Sequence, residues 1–111
     1  MNFNGKHALL SRLIRDHNCL SFVETGTYEA KMSLAMSELV SDVRSIELSQ
    51  TLHAENVERV TKAGKLESIT LINGHSAKEL SRALEGTSRP LVWLDAHWSA
   101  GKTTRDDSGC R

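Results

Sequence analysis

Apolar residues along the chain alternate between short continuous runs and longer stretches at helical spacing. Leu9, Leu10, Leu13 and Ile14 recur as on one face of a helix, with Arg12, Arg15 and Asp16 opposite and Asn18 as a stop. Residues 20–23 form a brief apolar run that ends at Glu24, the pattern of a buried strand. Gly26 then turns the chain into a second helix, with Met32, Leu34, Ala35, Met36, Leu39 and Val40 as a broad apolar face. Residues 43–48 read as a second strand. Ser49 caps a third helix whose inner positions are Leu52, Val57 and Val60, and Gly64 closes it. Residues 69–72 read as a third strand, and Asn73-Gly74 turns the chain again. Ser76 and Glu79 have the spacing of a capping box, opening a fourth helix with Leu80, Ala83 and Leu84 inside and Gly86 at its end. Residues 91–95 are a continuous apolar strand, as expected of a strand covered on both faces. The residues after His97 read as loop.

The order is α-β-α-β-α-β-α-β. Strict alternation with short strands predicts an α/β fold, a Rossmann-like parallel sheet with helices on both faces. Residues 1–19 form the N-terminal helix and residues 20–111 the sheet domain.

Charge and composition narrow the function. The 111 residues make one domain at most, and 14 basic residues balance 14 acidic ones. No basic excess points to nucleic acid, and Trp93 and Trp98 are expected to pack rather than to stack bases. The apolar runs fall far short of the roughly 20 residues of a membrane span, so no membrane partner is expected. The start lacks the apolar stretch of a signal peptide. Cys19 and Cys110 form no CxxC pair, and the expectation is reduced thiols in a cytoplasmic protein. The five histidines and two cysteines show no zinc-ligand spacing.

In an open parallel sheet, ligands bind beyond the carboxyl ends of the strands. Polar residues gather at each of these ends: Glu24 to Tyr28 after the first strand, Glu47-Leu48-Ser49 after the second, Asn73 to Ser76 after the third, Asp95 to Trp98 after the fourth. Gly26 lets backbone approach a ligand where a Cβ would clash, and the helix behind it offers N–H groups to an anion. A tight βα turn alone also accounts for Gly26. The spacing Glu-x-Gly-x-x-x-Ala lacks the second glycine of a dinucleotide fingerprint, which argues against a nicotinamide-dependent oxidoreductase. Glu47 follows the glycine turn by about 20 residues, the place of an acid that bonds ribose hydroxyls.

The strings FVETGTYEA (22–30), SIELS (45–49), NGHS (73–76) and WLDAHWSAG (93–101) resemble, in order, successive motifs of class I methyltransferases dependent on S-adenosylmethionine (SAM). The resemblance runs over nearly the whole chain from Leu20 onward. It implies SAM as cofactor and a small-molecule methyl acceptor. By the same resemblance Gly26, Thr27 and Tyr28 line the methionine part of SAM, and Glu24 reaches its amino group. Glu47 holds the ribose, with Leu48 beside it, His75 and Ser76 flank the adenine, and Asp95 lies beside the sulfonium and substrate.

Two positions depart from the family pattern. Ala30 stands where the family usually has glycine, the smallest change, and a tolerable fit is expected. His75 stands where the family favours an acid. A neutral histidine accepts through one ring nitrogen only, so adenine recognition is expected to be weaker and pH-dependent.

Asp95 and His97 are the candidates for chemistry. Residues two apart at an extended strand end point the same way. His97 is suited to remove the nucleophile's proton, with Asp95 orienting it or binding a divalent metal. The alternative is that Asp95 serves the cofactor and His97 packs against the loop. The family's sheet normally has seven strands, against four read here, so the chain is expected to be the N-terminal half of the fold. Its fourth strand would then expose an edge, open to homo-oligomer formation. A non-catalytic remnant that binds SAM or a partner is the alternative function.

Overall fold

A computed structural model describes residues 2–95 of the chain. Its elements are α1 (Phe3–His17), β1 (Ser21–Thr25), α2 (Lys31–Met36), β2 (Asp42–Glu47), α3 (Gln50–Lys62), β3 (Ile69–Asn73), α4 (Ser76–Leu84) and β4 (Pro90–Leu94). The four strands form one all-parallel sheet in the order β3-β2-β1-β4. This is the predicted alternation and fold class.

Local chemistry sets the element ends. The Asn2 side chain accepts from the Gly5 N–H at 2.8 Å and starts α1. Asn18, left-handed at φ 52°, ends it as expected. Ser49 caps α3 through the Leu52 N–H, and Gly64 follows the helix at φ 72°. The expected Ser76 capping box does not form. The helix begins one residue earlier in register, with His75 as the cap. Glu79 is then the fourth residue of the helix rather than the third, and it pairs with Arg82 at 2.9 Å.

β1 is central and buried along its whole length. Phe22, Val43 and Ile69 pack on one face of the sheet with Leu10, Ile14, Met36, Val40 and Val60. Val23 and Ile46 pack on the other with Ala83 of α4. Each fully buried Leu, Phe, Met, Val or Ile among these is worth roughly 1.5–3 kcal/mol relative to exposure.

Three core assignments are corrected. Val57 is on the outside of α3, and Asn56 is fully buried in its place. The second helix is only six residues long, and Leu39 beyond it is exposed. β4 is not covered on both faces. Leu91 and Trp93 pack against the core, whereas Val92 and Leu94 are exposed. On that face α4 packs over β2 and β1, short of the sheet's β4 edge. Among the described residues β4 pairs with β1 and with no other strand.

Candidate functional site

β1, β2 and β4 lie side by side, so parallel pairing brings their carboxyl ends to one rim. The loop after β1 crosses that rim. Gly26 stands at φ +84°, and its N–H donates to the Ile46 carbonyl at 2.7 Å. A Cβ there would lie 2.8 Å from Tyr28 Cε2 and 3.1 Å from the Asp95 carbonyl oxygen. Both the backbone angle and the space therefore require glycine.

Tyr28 and Ala30 are also left-handed, at φ 52° and 64°. Each non-glycine residue in that region costs roughly 1–2 kcal/mol. Hydrogen bonds hold the loop in place. The Tyr28 N–H donates to Glu47 Oε1 at 2.8 Å, and its carbonyl accepts from Asn56 Nδ2 at 2.7 Å. Its hydroxyl donates to the Asp95 carbonyl at 2.9 Å. At about 1 kcal/mol each, more for the carboxylate, these bonds offset the strain. The Ala30 methyl is buried in the core at the head of α2, so alanine fits but sits in a conformation that glycine adopts without strain. Six residues of α2 sum few peptide dipoles, so the expected anion attraction of this helix is small.

Below the loop lies a buried polar cluster. Glu24, 2% exposed, accepts from the Ser33 hydroxyl and from the Ser45 hydroxyl at 2.8 Å. Thr27 Oγ1 and Ser45 Oγ are 2.6 Å apart. Because the Ser45 proton goes to Glu24, Thr27 is the donor of this pair. Burial pushes the Glu24 carboxyl up to about 7, against the lowering effect of the two serine hydroxyls, with the charges of Asp95 and Glu47 adding to the rise.

Glu47 ends β2, and its two oxygens accept the Tyr28 and Ser49 N–H groups at 2.8 and 3.0 Å. A carboxylate has about four acceptor positions, so capacity for hydroxyl donors remains. Leu48 beside it is 67% exposed. Asn73 Nδ2 donates to the Glu47 carbonyl at 2.8 Å and fixes the ends of β2 and β3 together. His75 Nδ1 accepts the Ala77 N–H at 3.2 Å, so the neutral ring carries its proton on Nε2. Its accepting nitrogen is thus committed to α4. Ser76 is the first residue of that helix.

Asp95 follows β4. Its N–H is shared between Thr25 Oγ1 at 3.0 Å and the Thr25 carbonyl at 3.2 Å. Its carboxylate pairs with Lys6 Nζ at 3.0 Å. Lys6, Glu24, Gly26, Thr27, Tyr28 and Asp95 line a cleft of about 170 Å³. Whole-ligand pockets hold roughly 300–1,000 Å³, so this cleft suits one end of a ligand. Glu47, Leu48, His75 and Ser76 lie outside it, at the ends of β2 and β3. His97 lies outside the described residues.

Sequence reading missed Ser33, Ser45, Asn56 and Lys6. Ser45 had a signal, since it stands two residues before Glu47 on the same strand face. Asn56 had one too, lying four residues from both Leu52 and Val60.

Solved structures of methyltransferases share this fold. The methyltransferase PaMTH1 of Podospora anserina, bound to S-adenosylhomocysteine (SAH), superposes with TM-score 0.74 and 24% identity, over 91% of this chain and 44% of that one. The O-methyltransferase TomG of Streptomyces achromogenes, in complex with SAM, gives 0.72 and 19%, over 87% and 46%. An O-methyltransferase of Bacillus cereus in complex with SAH gives 0.71 and 15%, over 86% and 46%. No protein-family model and no curated protein matches the sequence. The chain has the fold of the N-terminal half of class I SAM-dependent methyltransferases, and it spans less than half the length of these structures.

Proposed function

We propose that this chain is the cofactor-binding half of a SAM-dependent methyltransferase acting on a small-molecule acceptor. One observation carries the reading. A strained glycine loop is tied at once to Glu47 at the end of β2 and to Asp95 at the end of β4, over the buried carboxylate of Glu24.

These residues fit the cofactor by their chemistry. The Glu24 carboxylate is an acceptor for an ammonium group. Glu47 retains lone pairs for ribose hydroxyls, and exposed Leu48 offers an apolar surface to a base. Bound SAM supplies an electrophilic methyl group on a sulfonium. Around it, Glu24 and the Gly26–Tyr28 loop orient the amino-acid end, and Glu47 orients the sugar. Alignment of this kind is the main aid to an in-line displacement. Asp95 carries the acceptor side, with His97 as the base that takes the acceptor's proton.

Calorimetric titration with SAM and SAH tests the reading. Saturable binding that is lost in Glu47→Ala supports it. Absence of saturable binding, or full binding by Glu47→Ala, overturns it.

A further inference from the structure

Lys6 plays no part in the reading above. It lies on α1, remote in sequence from the loop after β1, yet its Nζ is 3.0 Å from Asp95 Oδ2 and lines the same cleft as Glu24. A fully buried carboxylate and a cation therefore face one small cavity of about 170 Å³. The group that satisfies both walls carries both charges, an ammonium and a carboxylate on one carbon.

Resting on the methyl-donor reading, we infer that Lys6 binds the α-carboxylate at the amino-acid end of the cofactor, while Glu24 takes the ammonium. Asp95 holds Lys6 when the cleft is empty. Both side chains of that pair are more than a quarter exposed, and such pairs are worth roughly 0–1 kcal/mol. Exchanging Asp95 for a ligand carboxylate is therefore inexpensive, and the flexible four-carbon stem of lysine allows it. Lys31 also lines the cleft but is exposed at the start of α2. It is the competing cation.

The test titrates the full chain with SAH and with the analogue that keeps the thioether and amine but lacks the carboxylate. A charge-assisted contact of this kind gives about a tenfold preference or more for SAH in the wild type. Lys6→Met lowers SAH affinity to that of the analogue and leaves analogue affinity unchanged, which reports an intact site. Lys6→Arg recovers most of the preference, and Lys31→Met keeps it. Equal SAH affinity in the wild type and Lys6→Met overturns the inference. So does a preference abolished by Lys31→Met, or an equal loss of both ligands in Lys6→Met. A wild type that binds neither ligand overturns the methyl-donor reading itself, and this inference with it.

Discussion

The Tyr28 hydroxyl donates to the backbone carbonyl of Asp95 across 2.9 Å, joining the loop after β1 to the end of β4. Gly26 lies directly under this bond. A methyl group at position 26 would meet the Tyr28 ring at 2.8 Å and the same carbonyl at 3.1 Å. Gly26→Ala is therefore expected to push the ring aside and break the link. Strain at φ +84° and the clash together predict a loss of roughly 2 kcal/mol or more, read as a lower urea midpoint at unchanged slope. SAH binding should fall with it. A variant of wild-type stability would show that the loop is not held as described.

Glu24 makes stability and binding respond to pH in opposite directions. Its carboxyl rises from 4.5 in the unfolded chain to about 7 in the fold, chiefly through burial. Between these values the folded state binds the extra proton, so stability falls as pH rises from about 4.5 through 7. At 1.36 kcal/mol per pKa unit the full loss is about 3 kcal/mol above pH 7. Glu24→Gln keeps an acceptor for Ser33 and Ser45 without the charge, and is expected to flatten this slope and raise stability at pH 8. Binding of a cationic amine requires the ionised form, so SAH affinity should drop about tenfold per unit below pH 7 in the wild type and lose that dependence in Glu24→Gln. Denaturation and titration at pH 5, 6, 7 and 8 measure both; parallel slopes in wild type and variant would remove Glu24 from the site.

Asn56 is the buried strut of the loop. Its amide donates to the Tyr28 carbonyl at 2.7 Å, and its oxygen accepts from Arg59 at 2.7 Å. Asn56→Ala leaves the Tyr28 carbonyl without this donor and opens a cavity in a fully buried place. The expected cost is about 2–3 kcal/mol. Because Asn56 does not line the cleft, SAH should still bind, more weakly, through a loop whose left-handed Tyr28 has lost one anchor. Unchanged thermal unfolding would contradict this role.

Periodicity made the frame legible, and side-chain chemistry hid the rest. Alternating runs gave the element order because strands buried on both faces and helices buried on one carry different spacings. Ser49 and Gly64 ended α3 where their backbone preferences predict. Asn56 takes an inward place on α3 that its polarity does not announce, because hydrogen bonds to Tyr28 and Arg59 make the inward asparagine tolerable, and Val57 lies outside. The apolar run in β4 promised cover on both faces, but its sequence carries no record of what lies above Val92 and Leu94. At the rim, Glu24, Gly26, Tyr28 and Asp95 were legible from their strand ends. Lys6 was not, because only tertiary packing brings α1 to β4.

His75 is the position where the site invites improvement. As the cap of α4 its Nδ1 accepts the Ala77 N–H at 3.2 Å, a long bond from an exposed ring. That bond uses the one accepting nitrogen of the neutral imidazole, so none is left for an exocyclic amine of a base. A carboxylate has acceptors for both tasks and is a better helix cap. His75→Asp is therefore expected to stabilise the chain by about 0.5–1 kcal/mol, from the cap and from negative charge at a helix N-terminus. It should also raise SAH affinity several-fold and leave the affinity for homocysteine, which lacks the base, unchanged. Thermal unfolding and paired titrations measure the two effects separately. Equal gains for both ligands would assign the improvement to the cap alone, and unchanged SAH affinity would place the base elsewhere than beside α4.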